Sequence, residues 1–109
     1  MIRNLNDIYC TPKWEWANSW NIDNVHYHHG RGSGANAAIN FAKQERMSVA
    51  IGHLHAFGAC QYTASTHDII FGLNAGCGID IKAYSFAYGK DFPNRPTLGC
   101  GVIVSSTEA

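Results

Sequence analysis

The order of elements over residues 22–52 is the feature that most restricts the fold of this chain. Residues 22–28 alternate between two faces and are rich in β-branched and aromatic side chains, which is typical of a strand. The glycine-rich turn HGRGSG follows, and Ser33 within it could cap a helix over residues 34–46. An apolar run at residues 48–52 indicates a second strand. This order predicts a βαβ unit, whose two strands run parallel and end at one edge of the sheet.

The second half of the chain has the pattern of antiparallel strands. Residues 57–64 and 67–73 are typical of strands and are joined by a short turn, which predicts a hairpin. Residues 74–89 are punctuated by glycine and indicate a loop with a helical turn, and residues 98–106 are a final predicted strand. The expected fold class is therefore α/β, with a βαβ unit followed by antiparallel strands in one domain over residues 1–109.

Residues 1–20 are expected to form an irregular, tryptophan-rich lead-in to this domain. Trp14, Trp16 and Trp20 stand close together in the sequence, two residues or more after Pro12. Their indoles could cover apolar surface of the domain, or they could stack against a substrate. The sequence leaves both interpretations open.

Composition excludes several classes of protein. The 109 residues suffice for one modest core, and an apolar fraction of 46% is too high for a disordered chain. The formal net charge is zero and the basic residues form no run, so neither a general nucleic-acid-binding surface nor a membrane-binding face is expected. No apolar stretch approaches the roughly 20 residues that span a bilayer, and the first residues lack the apolar core of a signal peptide. We expect a cytoplasmic protein whose four widely spaced cysteines are reduced.

Histidines are concentrated near the C-terminal ends of the two predicted parallel strands. Five of the six histidines of the chain are found there, namely His26, His28, His29, His53 and His55. Open α/β sheets bind ligands at this edge, and neutral imidazole is a common nitrogen ligand for zinc, manganese, iron or nickel. The pattern indicates a metal site, and the alternative is that these are exposed or hydrogen-bonded loop histidines.

Two of these histidine-containing stretches resemble motifs of the calcineurin-like metallophosphoesterases. The sequence GHLH at residues 52–55 is similar to the GHxH motif of that family, and HHG at residues 28–30 is similar to its preceding HG motif. Residues 71–104 resemble the C-terminal strands of a phage and bacterial branch. The DxH, GDxxD and GNHD or GNHE motifs of the family's N-terminal half do not occur. The chain therefore resembles the C-terminal half of such an enzyme, and its fold would be half of the family's β-sandwich.

The resemblance implies a function and a set of metal ligands. In the family, two divalent metals hold a hydroxide that hydrolyses phosphate mono- or diesters. Carried over to this sequence, His29 and His53 would bind one metal and His55 the other, whereas His26 and His28 have no family role and are interpreted as strand residues on one face. No catalytic residue is assigned in this half. Because the family's carboxylate ligands are missing, we expect at most one divalent metal (Mn, Fe, Zn or Ni), bound weakly, and little activity from the chain alone.

The sequence restricts the substrate contacts and the partners less than it restricts the metal ligands. Arg31, Asn74, Lys82, Tyr84 and Arg95 are candidate contacts to a phosphoester substrate. The loss of an N-terminal half is expected to leave an edge of one of the two parallel strands unpaired, which favours self-association or a complementary N-terminal half as partner. The alternative function is a catalytically inactive structural or self-assembling protein derived from the same fold. A third possible function is a metal-binding module or one-metal hydrolase built on His29, His53 and His55 alone.

Overall fold

The computed structural model of the chain describes residues 4–78 and 96–104. Within them, five strands form one mixed sheet in the order β1-β2-β3-β5-β4. In chain order the elements are α1 (Leu5–Ile8), β1 (Ser19–Ile22), β2 (Val25–His28), α2 (Ala37–Glu45), β3 (Ser48–Ile51), β4 (Gly58–Ala64) and β5 (Ile69–Ala75). Neither of the described helices has the length and apolar character needed to cross a membrane.

The α/β class and the βαβ unit predicted from the sequence are confirmed. Strands β2 and β3 pair in parallel and are connected through α2, and β3 also pairs in parallel with β5. The predicted hairpin is β4 and β5, which pair antiparallel from Gly58 opposite Ala75 to Ala64 opposite Ile69. The more specific assignment to half of a calcineurin-like β-sandwich stays a prediction.

The interpretation of residues 22–28 as one strand is wrong, because the chain reverses direction inside this range. Strands β1 and β2 form an antiparallel hairpin in which Ile22 pairs with Val25. The two turn residues, Asp23 and Asn24, have φ angles of 51° and 63°. Positive φ at both central residues is the pattern of a type I′ turn, in which aspartate and asparagine are tolerated better than most residues.

The expected unpaired edge is also not where the sequence placed it. Strand β2 is paired with β1 on one side and β3 on the other, and β3 lies between β2 and β5. The two parallel strands therefore have no free edge. Strands β1 and β4 are instead the outer strands of the described sheet. The sequence-based expectation differed because it did not include β1 as a separate strand and did not place β5 beside β3.

Helix α2 packs against one face of the sheet and forms the core with it. The helix begins three residues later than expected, since Asn36 rather than Ser33 occupies the N-cap position. It ends at Glu45, before Arg46 in the left-handed conformation. Its small side chains allow close approach to the sheet. The buried core cluster consists of Ala37, Ala38, Ile39, Ala42, Val49 and Ile51.

The strand register divides side chains between two faces of the sheet. The helix face, covered in part by α2, carries His26, His28, Val49 and Ile51 among others, as the pairings His26–Val49 and His28–Ile51 require. On the opposite face, called here the open face, the paired residues Trp20, Tyr27, Ala50, Leu73 and Cys60 form a row across all five strands.

Residues 96–104 return to this sheet without forming the predicted final strand. Their described part contains one isolated bridge, between Leu98 and Cys77. Gly101 lies against the open face, since a Cβ atom there would be 2.6 Å from Leu73 Cδ2. The strand prediction is therefore wrong over residues 98–104. Residues 105–106, and the part of the predicted loop from residue 79 onward, lie outside the described residues.

The tryptophan-rich lead-in has more local order than expected. It contains the one-turn helix α1, and Trp20 belongs to β1. Trp16 stacks on Tyr9 with 5.4 Å between ring centroids, and its indole N–H donates a 3.1 Å hydrogen bond to Thr11 Oγ1. Trp14 and Trp16 both stay exposed. These two indoles therefore pack mainly on neighbouring aromatic rings of their own segment.

Candidate functional site

His29 and His53 meet at the C-terminal edge of the two parallel strands. His29 directly follows β2, and His53 comes two residues after the end of β3. The carbonyl of His29 accepts a 3.1 Å hydrogen bond from Gly52 N, which extends the β2–β3 pairing past the strand ends. His53 Nδ1 lies 3.0 Å from His29 Nε2. The structure thus brings together two of the residues that the sequence singled out, and we call them the edge pair.

Gly30 makes this juxtaposition possible. Its φ angle is 91°, a value that side chains disfavour. A Cβ atom at this position would lie 3.0 Å from Ile51 Cβ and 3.3 Å from His53 Cβ. Because Gly30 has no side chain, the backbone that follows β2 can pass close to the end of β3, where His29 and His53 come into contact.

The separation of the two ring nitrogens restricts what the edge pair can do. Without a metal, one neutral imidazole can donate its N–H to the other at 3.0 Å. With a metal, two cis ligands about 2.1 Å from an octahedral ion lie about 3.0 Å apart. In a tetrahedral zinc site the two nitrogens would lie about 3.4 Å apart. The observed spacing of 3.0 Å fits two situations. The two nitrogens can share a hydrogen bond in the absence of a metal, or they can be cis ligands of one octahedral ion.

His55 occupies the loop after β3 but does not join the edge pair. Its carbonyl accepts a 2.6 Å hydrogen bond from Thr97 N, which ties this loop to residues 96–104. Among residues 4–78 and 96–104, the ligand atoms of His29, His53 and His55 do not form a group within 4.8 Å of one another. The role of His55 as a ligand stays a prediction, and it would require its side chain to approach the edge pair.

The candidate substrate contacts that the structure describes have other partners. The guanidinium of Arg31 lies 6.0 Å from the centre of the Phe41 ring, in a cation–π arrangement. Asn74 is buried on the helix face, where its Nδ2 donates to the Ala35 carbonyl at 3.4 Å and its Oδ1 has no hydrogen-bond partner. Lys82, Tyr84 and Arg95 lie outside the described residues.

A cavity of about 360 Å³ on the open face adjoins His29. Trp20, Tyr27, Ala50 and Leu73 contribute to its wall, which is predominantly apolar. Its polar lining residues are Asn18, His28 and His29, and His29 is one member of the edge pair. Space for the organic part of a ligand therefore lies beside His29.

A second cluster, His26, His28 and Glu45, lies on the helix face and could hold a metal ion. Within the described ranges it is the group of three whose possible ligand atoms all lie within 4.8 Å of one another. His26 Nδ1 is 2.9 Å and His28 Nε2 is 3.9 Å from Glu45 Oε1. Burial is the main cause that lowers the pKa of His28, with His26 and Arg31 contributing and Glu45 opposing. The lowered pKa favours the neutral imidazole, which is the form that binds metals.

Sequence reasoning placed the two histidines of this cluster on one face, as the structure confirms, but missed Glu45. An HxH pattern on a strand puts two imidazoles side by side. Glu45 is seventeen positions after His28, and it reaches them because α2 crosses the same face and ends there. The available signal was the combination of HxH on the first strand of a βαβ unit with an acidic residue in the last turn of its helix.

The cysteines of the chain contribute no cross-link to either site. Cys10, Cys60, Cys77 and Cys100 form no disulfide with one another, and their reduced state stays a prediction. Three of them are exposed rather than buried as small hydrophobic residues, and Cys77 is half-buried. A thiol of Cys77 lies 3.8 Å from the His55 carbonyl and donates a weak hydrogen bond to it.

Comparisons with known proteins add no family to this geometry. No family model, curated protein or solved structure matches the chain. The resemblance to calcineurin-like metallophosphoesterases therefore stays a prediction from short motifs. The functional argument depends on the chemistry of the edge pair and of the helix-face cluster.

Proposed function

We propose that this chain binds a divalent metal through the edge pair and acts as one half of a metal-dependent phosphoesterase. The observation that carries the proposal is the 3.0 Å approach of His53 Nδ1 to His29 Nε2. The contact lies at the C-terminal edge of parallel strands, where open α/β sheets place their ligands. The short distance makes the two imidazoles candidates for cis ligands of one manganese, iron, zinc or nickel ion.

The residues of this half explain why a partner is needed for activity. A bound divalent ion would supply Lewis acidity toward a phosphoryl oxygen. His29 and His53 hold that position, and their rings bring no negative charge to offset the charge of the ion. In the described part of the chain, no carboxylate completes a three-ligand group with the edge pair. We therefore propose that further ligands come from a complementary N-terminal half, and that the edge pair of the isolated chain binds one metal weakly.

The cavity beside His29 supports a phosphoester as substrate. Its apolar wall, which includes Trp20 and Tyr27, suits an aryl or other organic group. His29 would then lie on the side of the cavity where the phosphate meets the metal. We propose a cytoplasmic location, since three exposed free thiols suit a reducing compartment.

Phosphatase assays with and without a partner test this proposal. The purified chain is mixed with Mn²⁺ and an aryl phosphate, alone or co-expressed with a neighbouring reading frame that encodes the DxH, GDxxD and GNHD motifs. We expect turnover only when both polypeptides are present, and a loss of at least about 100-fold when His53 is replaced by alanine. His67→Ala, in the exposed β4–β5 connection, serves as the matched control and should retain full turnover.

Two results would contradict the proposal in different ways. Turnover by the chain alone that His53→Ala abolishes would keep the metal site and remove the need for a partner. An absence of turnover in a mixture whose two polypeptides demonstrably associate would remove the phosphoesterase function itself.

A structural, self-assembling role is the second candidate, and the open face favours it. Trp20, Ile22 and Tyr62 are large apolar side chains on this face that are 36%, 50% and 67% exposed. In the described sheet the outer edges of β1 and β4 are unpaired, and such edges are templates for association. Sedimentation of the wild-type chain decides whether it self-associates. Self-association without turnover in any of the mixtures above would favour this role.

A further inference from the structure

We propose that His26, His28 and Glu45 form a second metal site, specific for a zinc-like divalent ion, that ties the C-terminal end of α2 to β2. The site is separate from the edge pair, because its ligand atoms form a group that contains neither His29 nor His53, and strand alternation places the side chains of His26 and His28 together on the helix face. It does not depend on the proposed phosphoesterase function. Two imidazoles and one carboxylate are a ligand set that zinc uses with a water in the remaining position.

The distances within the cluster are close to those that a tetrahedral ion imposes. His26 Nδ1 lies 2.9 Å and His28 Nε2 lies 3.9 Å from Glu45 Oε1. Nitrogen and oxygen ligands of a tetrahedral zinc lie about 3.4 Å apart. The two observed separations lie on either side of this value. Small rotations of the Glu45 side chain, at the end of its helix, would bring both close to it.

The nitrogen of His28 that points into the cluster has no other partner. His28 Nε2 is buried and makes no hydrogen bond in the described structure. Leaving a buried polar atom unpaired costs free energy, and a metal ion would use its lone pair. The ring itself is fixed in place, since Phe41 packs edge-on against it with 5.1 Å between centroids. The structure thus contains a positioned imidazole whose ligand atom is directed toward a carboxylate but too far from it to hydrogen-bond.

Charge and access also suit a cation. Glu45 brings one negative charge to the cluster, in contrast to the edge pair. The side chains of His26, His28 and Glu45 are 26%, 16% and 29% exposed, so one side of the cluster opens to solvent. An ion can enter from that side, and water can complete its coordination. The mixed nitrogen and oxygen ligand set favours zinc over magnesium or calcium.

The competing explanation is an ordinary interaction between His26 and Glu45. A 2.9 Å contact between an imidazole N–H and a carboxylate needs no metal. It leaves His28 Nε2 unpaired, however, and it predicts no response of the protein to zinc. The two explanations therefore differ in a measurable property.

Zinc titration with cluster variants tests the proposal. Calorimetric Zn²⁺ binding and the thermal unfolding midpoint are measured for the wild type, Glu45→Gln and His26→Gln. Glu15→Gln, a change at an exposed glutamate outside the cluster, is the matched control. We expect zinc to raise the unfolding midpoint of the wild type and the control. Each cluster variant should lose at least about ten-fold in zinc affinity and lose that stabilisation.

A His53→Ala variant separates this site from the edge pair. The proposal requires that His53→Ala retain the zinc-dependent rise in unfolding midpoint and the visible spectrum of Co²⁺ substituted for zinc. Zinc binding by Glu45→Gln and His26→Gln equal to that of the wild type would overturn the proposal. So would complete loss of zinc binding in His53→Ala, provided that its circular dichroism shows a folded chain. Both outcomes leave the phosphoesterase proposal to be judged by its own assay.

Discussion

Replacing Gly72 with alanine is expected to destabilise the folded chain by about 3 kcal/mol. Gly72 lies in β5 directly beneath α2. A Cβ atom there would lie 2.5 Å from both Ile39 Cα and the carbonyl carbon of Ala38, and against the backbone nitrogen of Ile39. These are backbone atoms of the helix, so a rotamer change cannot relieve the clash. The helix would have to move away from the sheet, opening the core around Val49.

Urea denaturation followed by circular dichroism measures this effect. Gly78→Ala is the matched control, because a Cβ atom at Gly78 would meet nothing within 4 Å. The control is expected to unfold within about 0.5 kcal/mol of the wild type. Equal stability of the two variants would contradict the close packing of α2 on β5.

Replacing His53 with alanine is expected to weaken Mn²⁺ or Ni²⁺ binding at the edge pair by at least about 100-fold, or about 2.7 kcal/mol. The variant removes one of the two imidazoles that meet there at 3.0 Å. His29→Ala should have the same effect, and the double variant should add little, because both residues would hold the same ion in the proposed site. Calorimetric titration of the metal measures each affinity.

His67→Ala is the control for this second prediction. His67 is exposed and lies in the β4–β5 connection, where its backbone N–H donates to Ser65 Oγ. Its removal should leave metal affinity unchanged. An affinity in His53→Ala equal to that of the control would show that the edge pair is a hydrogen-bonded pair of loop histidines, the alternative left open by the sequence.

The βαβ unit and the β4–β5 hairpin could be predicted because their signals are local. Apolar periodicity and turn residues mark each element, and the order strand, helix, strand implies that the two strands pair in parallel. The sequence did not reveal the β1–β2 hairpin, because the alternation of side chains between two faces continues unbroken through Asp23 and Asn24. A two-residue turn reverses the chain and pairs Ile22 with Val25, so Ile22 lies on the face opposite to His26. Apolar alternation alone does not report that reversal.

The candidate sites were predictable to different degrees, because some of their contacts follow from strand topology and others depend on tertiary packing. His29 and His53 follow adjacent parallel strands, so their meeting is a consequence of topology. Glu45 reaches His26 only because of where α2 ends over the sheet, which depends on tertiary packing. The position of His55 depends on a loop held by Thr97, a contact between distant parts of the chain. Motif spacing contains no information about such contacts.

The most direct test of the central claim is residue-specific nitrogen NMR of the imidazole rings during titration with Zn²⁺, a diamagnetic ion. The account predicts that the resonances of His29 Nε2 and His53 Nδ1 shift together as an ion binds the edge pair. It also predicts that those of His26 and His28 shift as an ion binds the helix-face cluster, whereas those of His67 do not shift. Shifts confined to His26 and His28 would support the helix-face site and contradict metal binding by the edge pair. Unchanged resonances of His29 and His53 at saturating metal would contradict the central claim outright.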